Sequence, residues 1–248
     1  MTDLDEGAAP GATERGHDEP VSRRRRVAVV LVALVLLAGL GLGLGLSLGG
    51  GSSTGPKGPE GVALQQVPDL ASADTTASGP TVDGIGCSNE EQQPVKYHIH
   101  DLVTVFVQGT QERIPAGAGI PAPRLTEHFP TGVFYDNRLN GCLYWLHTHT
   151  ADGVLHIEAP YKATFTLGQF FAVWRQPLGP GQVGPARGTV VAFENGTRFA
   201  GDPRDIPLLP HAVIQLDVGT PVVPYRPVQY NVIGLCGAGT TGCSSSGG

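Results

Sequence analysis

Apolar and polar positions alternate along the chain from about residue 95 onward, whereas a single unbroken apolar run dominates before residue 50. Strict alternation is the signature of a half-buried strand. Lys96 to Val107 (KYHIHDLVTVFV) alternates and stops at Gln108-Gly109, with Gln111 to Pro115 as a hairpin return. Leu143 to Thr150 and Val154 to Ala159 flank Ala151-Asp152-Gly153. Thr189 to Phe193 and Thr197 to Ala200 flank Asn195-Gly196, a strong type I′ hairpin signal. His211 to Val218 and Val228 to Ile233 complete the set. Only Leu167 to Trp174 (LGQFFAVW) carries helical spacing, with Thr166 as its N-cap. Seven or so short strands with a turn about every ten residues predict a mainly β fold, an antiparallel β-sandwich or small barrel with one short helix.

The apolar run is Val27 to Leu48, which contains no charged residue. At about 1.5 Å per residue it reaches about 33 Å, enough to span the hydrocarbon core of a bilayer as an N-terminal transmembrane helix. Arg23 to Arg26 flank its start and no cation flanks its end, so the N-terminus is expected in the cytoplasm and the remainder outside the cell membrane. A cleaved signal peptide is the competing reading, but no small-x-small cleavage site follows the run. Gly39, Gly41, Gly43 and Gly45 create G-x-x-x-G spacings through which two such anchors can pair into a homodimer, or the run is simply apolar filler. The expected organisation is a polar tail at 1–26, the span at 27–48, a flexible Gly/Ser/Pro linker at 49–84, a β domain at 85–235 and a flexible tail at 236–248.

Composition sharpens this picture. The chain has 36 Gly and 21 Pro in 248 residues and only 15% charged residues, which excludes a coiled coil or helical bundle. A net charge of −6 without clustered Lys and Arg outside the anchor excludes nucleic acid as a partner. All four Cys (Cys87, Cys142, Cys236, Cys243) fall on the outer side of the proposed membrane, where they read as disulfides. The favoured pairings are Cys87–Cys142 and Cys236–Cys243.

Histidine placement carries the chemistry. Seven of the eight His lie in the outer region. His98-x-His100 and His147-x-His149 each put two imidazoles on one face of a strand. If Asp152-Gly153 is a two-residue turn, His149 faces His156 and His147 faces Glu158. If Ala151-Asp152 is the turn, His147 faces His156. Either register gathers His147, His149, His156 and Glu158 on one face and leaves Leu146, Thr148, Leu155 and Ile157 for the core. Imidazoles and a carboxylate about 5 Å apart suit zinc or copper. His98, His100 and His211 are further candidate ligands, while His128 has no assigned role. Two other readings stand beside metal binding: a hydrogen-bonded polar network in a structural or interaction domain of the cell surface, and a pH sensor.

Three resemblances bear on these residues. Leu146-His147-Thr148-His149-Thr150 with Asp152-Gly153 resembles the opening motif of the polymerase-and-histidinol-phosphatase phosphoesterases, but the chain lacks the helices that their barrel requires. His147-x-His149 is similar to the cupin motif, which implies a metalloenzyme on a β-barrel. The cupin Glu position, however, holds Val154 here, and the final His would have to be His211. The segments His98-x-His100, Ile114-Pro115-Ala116-Gly117, Cys142 to His149, Gly153 to Pro160 and Phe165 to Phe171 resemble a family of uncharacterised, membrane-anchored bacterial and archaeal proteins. That likeness covers roughly residues 95–235 and implies an extracytoplasmic location, with no activity attached.

Overall fold

The computed structural model describes residues 55–89, 93–139 and 141–230. The expected span at 27–48 and the expected Cys236–Cys243 pair lie outside the described residues. Among the described residues no helix is long and apolar enough to cross a membrane.

The fold is mainly β. Its central element is one seven-stranded sheet built from β1 (Tyr97–Val107), β2 (Thr110–Glu112), β3 (Leu146–His147), β4 (Val154–Ala159), β5 (Val190–Glu194), β6 (Thr197–Phe199) and β7 (Val213–Val218). The order along the sheet is β6-β5-β7-β1-β4-β3, with β2 paired onto β1. The expected hairpins form where the turn residues require. Gln108 and Gly109 both take positive φ between β1 and β2, as do Asn195 and Gly196 between β5 and β6.

Two expectations about the architecture are corrected. The sheet is an open path rather than a barrel or a pair of large antiparallel sheets, and it is mixed, because β7 runs parallel to β1 with Val213 opposite Leu102. Alternation along one strand fixes its buried face but not the direction of its neighbour. The predicted last strand at Val228 to Ile233 is absent over Val228–Tyr230, which are irregular, and its remainder lies outside the described residues.

One face of the sheet carries the main core. Ile99, Val103 and Val105 of β1, Leu155 and Ile157 of β4, and Leu146 of β3 are buried in one cluster with α1 (Leu167–Trp174). The helix begins where predicted. The Thr166 side chain accepts from the Gln169 backbone N–H, and the Gln169 side chain accepts from the Thr166 N–H, a reciprocal cap of a kind typically worth about 1 kcal/mol. Arg175 ends it in the left-handed conformation. Phe170, Phe171 and Trp174 form the aromatic centre of this core.

The residues expected as a spacer do not behave as one. From Gly55 onward they pack on the domain: Val62 and Leu70 are buried, and Gln65 donates to the Asp152 carbonyl at 3.0 Å. The folded unit therefore begins well before residue 85. The Gly- and Pro-rich composition here makes tight turns in a strap that buries side chains against the domain. On the face opposite the main core, where Val62 packs with Leu102, Val154 and Val213, residues 221–230 form a second strap. Asp217 accepts from the Val223 N–H, and Gln215 accepts from the Arg226 N–H.

The disulfide joins Cys87 to Cys142, as expected. It fastens a small sheet of Thr81–Val82, Ile85–Ser88 and Leu143–Tyr144. Closing a loop of 55 residues corresponds to about 4 kcal/mol on the chain-entropy account.

Candidate metal centre

The stretch read as one strand from Leu143 to Thr150 serves three segments in turn. Leu143 and Tyr144 pair with Ser88 and Cys87. After Trp145 the chain crosses to the main sheet, where Leu146 and His147 pair with Ile157 and His156. Thr148 then leaves the sheet: its N–H donates to Ala118, and its carbonyl accepts from Gly117. Gly119 has φ +84, and a Cβ there would lie 2.8 Å from the Cα and Cβ of His147, so only glycine lets this loop approach.

The register realises the second sequence alternative, with His147 opposite His156, although a loop from Thr148 to Gly153 replaces the two-residue turn. Pairing of β1 with β4 sets His100 opposite His156 and His98 opposite Glu158. One rung of the sheet thus carries His100, His156 and His147 across β1, β4 and β3, and the adjacent rung carries His98 and Glu158. His149 reaches the same place from the loop. Its ring stacks on Phe134 at 4.3 Å and meets the edges of His147 and His156 at 4.6 and 4.7 Å. The five imidazoles lie on the face opposite the main core, and all are buried.

His211 does not join them. It is exposed, with φ +62, and its ring faces Tyr230 at 6.2 Å. Its backbone N–H donates to the His100 carbonyl, so the residue is near in chain terms while the left-handed turn directs its side chain away. His128 is also exposed, on the hairpin Leu125–Phe129/Gly132–Asp136.

Hydrogen bonds fix the tautomers of two rings. His147 Nδ1 lies 2.8 Å from the Tyr144 carbonyl, and His149 Nδ1 lies 2.6 Å from the Tyr135 carbonyl. A carbonyl only accepts, so each Nδ1 carries the proton and each Nε2 presents a lone pair. Those two Nε2 atoms face each other at 3.1 Å. Two nitrogens bound to one tetrahedral zinc ion at 2.0–2.1 Å would sit about 3.3 Å apart. Glu158 Oε1 lies 4.0 Å from His147 Nε2 and 3.5 Å from His156 Nδ1. One ligand atom from each of His147, His149, His156 and Glu158 lies within 4.8 Å of the others, and His98, His100 and His156 form a second such group. These buried groups can hold a metal ion.

Glu60 is the member of the site that sequence reasoning missed. It is 1% exposed, its Oε1 lies 2.8 Å from His156 Nε2, and its Oε2 accepts from the Thr150 hydroxyl at 3.0 Å. It comes from the stretch expected as a spacer. The only signal was a lone acid inside Gly58-Pro59-Glu60-Gly61.

Charges in the site follow from this geometry. Burial lowers His147 well below the ordinary imidazole range, aided by His149, and lowers His149, aided by His156. His100 is pushed down to about 2 by burial and by the charges of His156 and His98. His156 behaves oppositely: burial works against its charged form, but Glu60 and Glu158 together raise it to about 10. Burial would raise Glu60, yet His156, His149 and the Thr150 hydroxyl hold it at about 2. Glu158 is likewise held well below its usual range against burial, by His156 and His98. Asp152 rises to about 7 through burial and the charge of Glu60. At neutral pH two buried carboxylates therefore face one imidazolium, and this negative excess favours a cation.

Water can reach the centre. His149 and Glu158 line a cavity of about 460 Å³, together with Phe134, Asn137 and Arg138. No family model matches the chain, and no curated protein or solved structure matches it.

Proposed function

We propose that the domain binds a divalent transition-metal ion, zinc or copper, through His147, His149, His156 and Glu158. We further propose that residues 27–48 anchor the chain in the cell membrane, with the domain on the outer side. The observation that carries the metal reading is the pair of Nε2 lone pairs 3.1 Å apart, each ring held in that tautomer by a backbone carbonyl. Facing lone pairs repel unless a cation or proton lies between them. Burial depresses the proton affinity of both rings, which favours the cation. Backbone carbonyls on the far nitrogens and a carboxylate beside His156 are the outer partners that orient metal-bound imidazoles.

The test is direct. The full chain, purified in detergent and stripped with a chelator, is titrated with zinc and with copper(II). Stoichiometric binding and a higher melting temperature are expected, since a ligand at 100 times its Kd stabilises the folded state by about 2.7 kcal/mol. If neither metal is retained and neither shifts the melting temperature, the cluster is a polar network and the reading fails.

Glu60 offers a second check. Glu60→Gln keeps the shape and the Thr150 contact but removes the charge beside His156. Zinc affinity should fall by about 10- to 100-fold in a chelator competition, the usual cost of losing an outer partner. An unchanged affinity would reduce Glu60 to packing.

The cavity at His149 and Glu158 favours a second reading, in which the ion is catalytic and activates a water delivered from that side. That reading requires a coordination position open to the cavity. A cobalt(II)-substituted chain whose visible spectrum ignores added azide or cyanide would count against it.

A further inference from the structure

His156 sits between the two ligand groups and belongs to both. Both of its ring nitrogens are fully buried without an aligned hydrogen-bond partner. Nδ1 lies 3.5 Å from Glu158 Oε1, and Nε2 lies 2.8 Å from Glu60 Oε1, which is itself unpartnered. His98 Nε2 and His100 Nε2 are buried and unpartnered too, although His98 Nε2 approaches Glu158 Oε1 to 3.1 Å. Five of the nine unpartnered buried side-chain atoms among the described residues therefore belong to this cluster. Buried polar atoms are nearly always satisfied, so a concentration of exceptions points to a ligand held there.

The first ion absorbs only one of them, a ring nitrogen of His156. His147, His149, His156 and Glu158 already supply the four ligands that zinc takes in a closed site. That leaves His98 and His100, whose rings lie 4.6 Å apart, with His100 also 4.6 Å from His156. Neither His98 nor His100 lines the cavity that touches the first group. Leu102, Val154, Val213 and Val62 form a small apolar cluster on this face of the sheet, next along the strands from His100 and His156.

We infer that the domain holds two divalent cations, the second on His98, His100 and His156, with His156 shared between them. This rests on the metal reading above. Imidazole bridges two ions by giving one nitrogen to each after losing both N–H protons to solvent. Glu60, 2.8 Å from Nε2, stands ready to contribute its carboxylate on that side. Two ions bring four positive charges, of which Glu60, Glu158 and the bridging imidazolate offset three.

The experiment counts ions on the wild-type full chain, stripped and then dialysed against zinc, by elemental analysis per chain. Two zinc per chain supports the inference. One zinc overturns it and leaves the single-ion reading standing. None overturns both. The paired variant His98→Ala/His100→Ala should drop the count from two to one, and its melting curve shows whether it still folds. A measurement without any substitution guards against a misfolded variant. When the chain is loaded with copper(II), ions coupled through an imidazolate lose most of the ordinary electron paramagnetic resonance intensity. Full intensity from every bound copper would overturn the shared-ligand arrangement.

Discussion

Alanine at His147 should weaken zinc binding at the first site by about 100- to 1000-fold. Structural zinc sites with four ligands are worth about 10–16 kcal/mol in total. One ligand of four is then worth roughly 3 kcal/mol, a factor of order 100 or more. His147 is fully buried, so the substitution also leaves the Tyr144 carbonyl without its donor, at about 1–3 kcal/mol. The two effects separate cleanly. The carbonyl penalty lowers the melting temperature with and without metal, whereas loss of the ligand lowers it only when zinc is present. Competition with a coloured chelator reads the affinity, and paired melting curves read the stability. If the metal-loaded and metal-free forms lose the same number of degrees, His147 is a structural residue and not a ligand.

Trp174→Ala should destabilise the folded domain by about 3–5 kcal/mol, the usual cost of removing a fully buried large aromatic. Trp174 is 0% exposed and packs against Phe170 and Phe171 at ring separations of 5.9 and 5.4 Å. Its Nε1–H donates to the Ser72 carbonyl at 3.0 Å, and its own carbonyl accepts from Thr75. The substitution therefore cuts the helix core and the strap at 72–76 together. Denaturant unfolding should show a midpoint shifted to much lower concentration with a similar slope. The metal face lies on the opposite side of the sheet, so the number of ions per folded chain should not change. A loss below about 1 kcal/mol would mean that the core refills around the deletion.

These two residues also show what the sequence made legible. Trp174 was readable because helix spacing, the Thr166 cap and the apolar face agreed over a single eight-residue segment. The shared face of His147, His156 and Glu158 was readable because alternation on a strand is local, while the sequence left open which of two registers pairs them. What was not readable depended on contacts far apart in sequence. The parallel pairing of β7 with β1 joins residues about 110 apart, and periodicity cannot express direction. His211 was plausible by proximity, since its backbone does bond to His100, but its left-handed φ turns the ring outward. Glu60 was hidden by its surroundings. Composition marks a Gly- and Pro-rich stretch as flexible, yet a turn-rich strap can still bury Val62 and Leu70 against the domain.

The position of that strap matters to anyone cutting the gene. A fragment begun at residue 85, where composition suggests the domain starts, would discard Glu60 and the Gln65 side chain that donates to the Asp152 carbonyl. Such a fragment would also lose Leu70 and Ala77 from the helix core and the Ser72 carbonyl that Trp174 bonds. One flank of His156 would then be open to solvent and its partner charge gone. Expression boundaries for this protein belong upstream of Gly55.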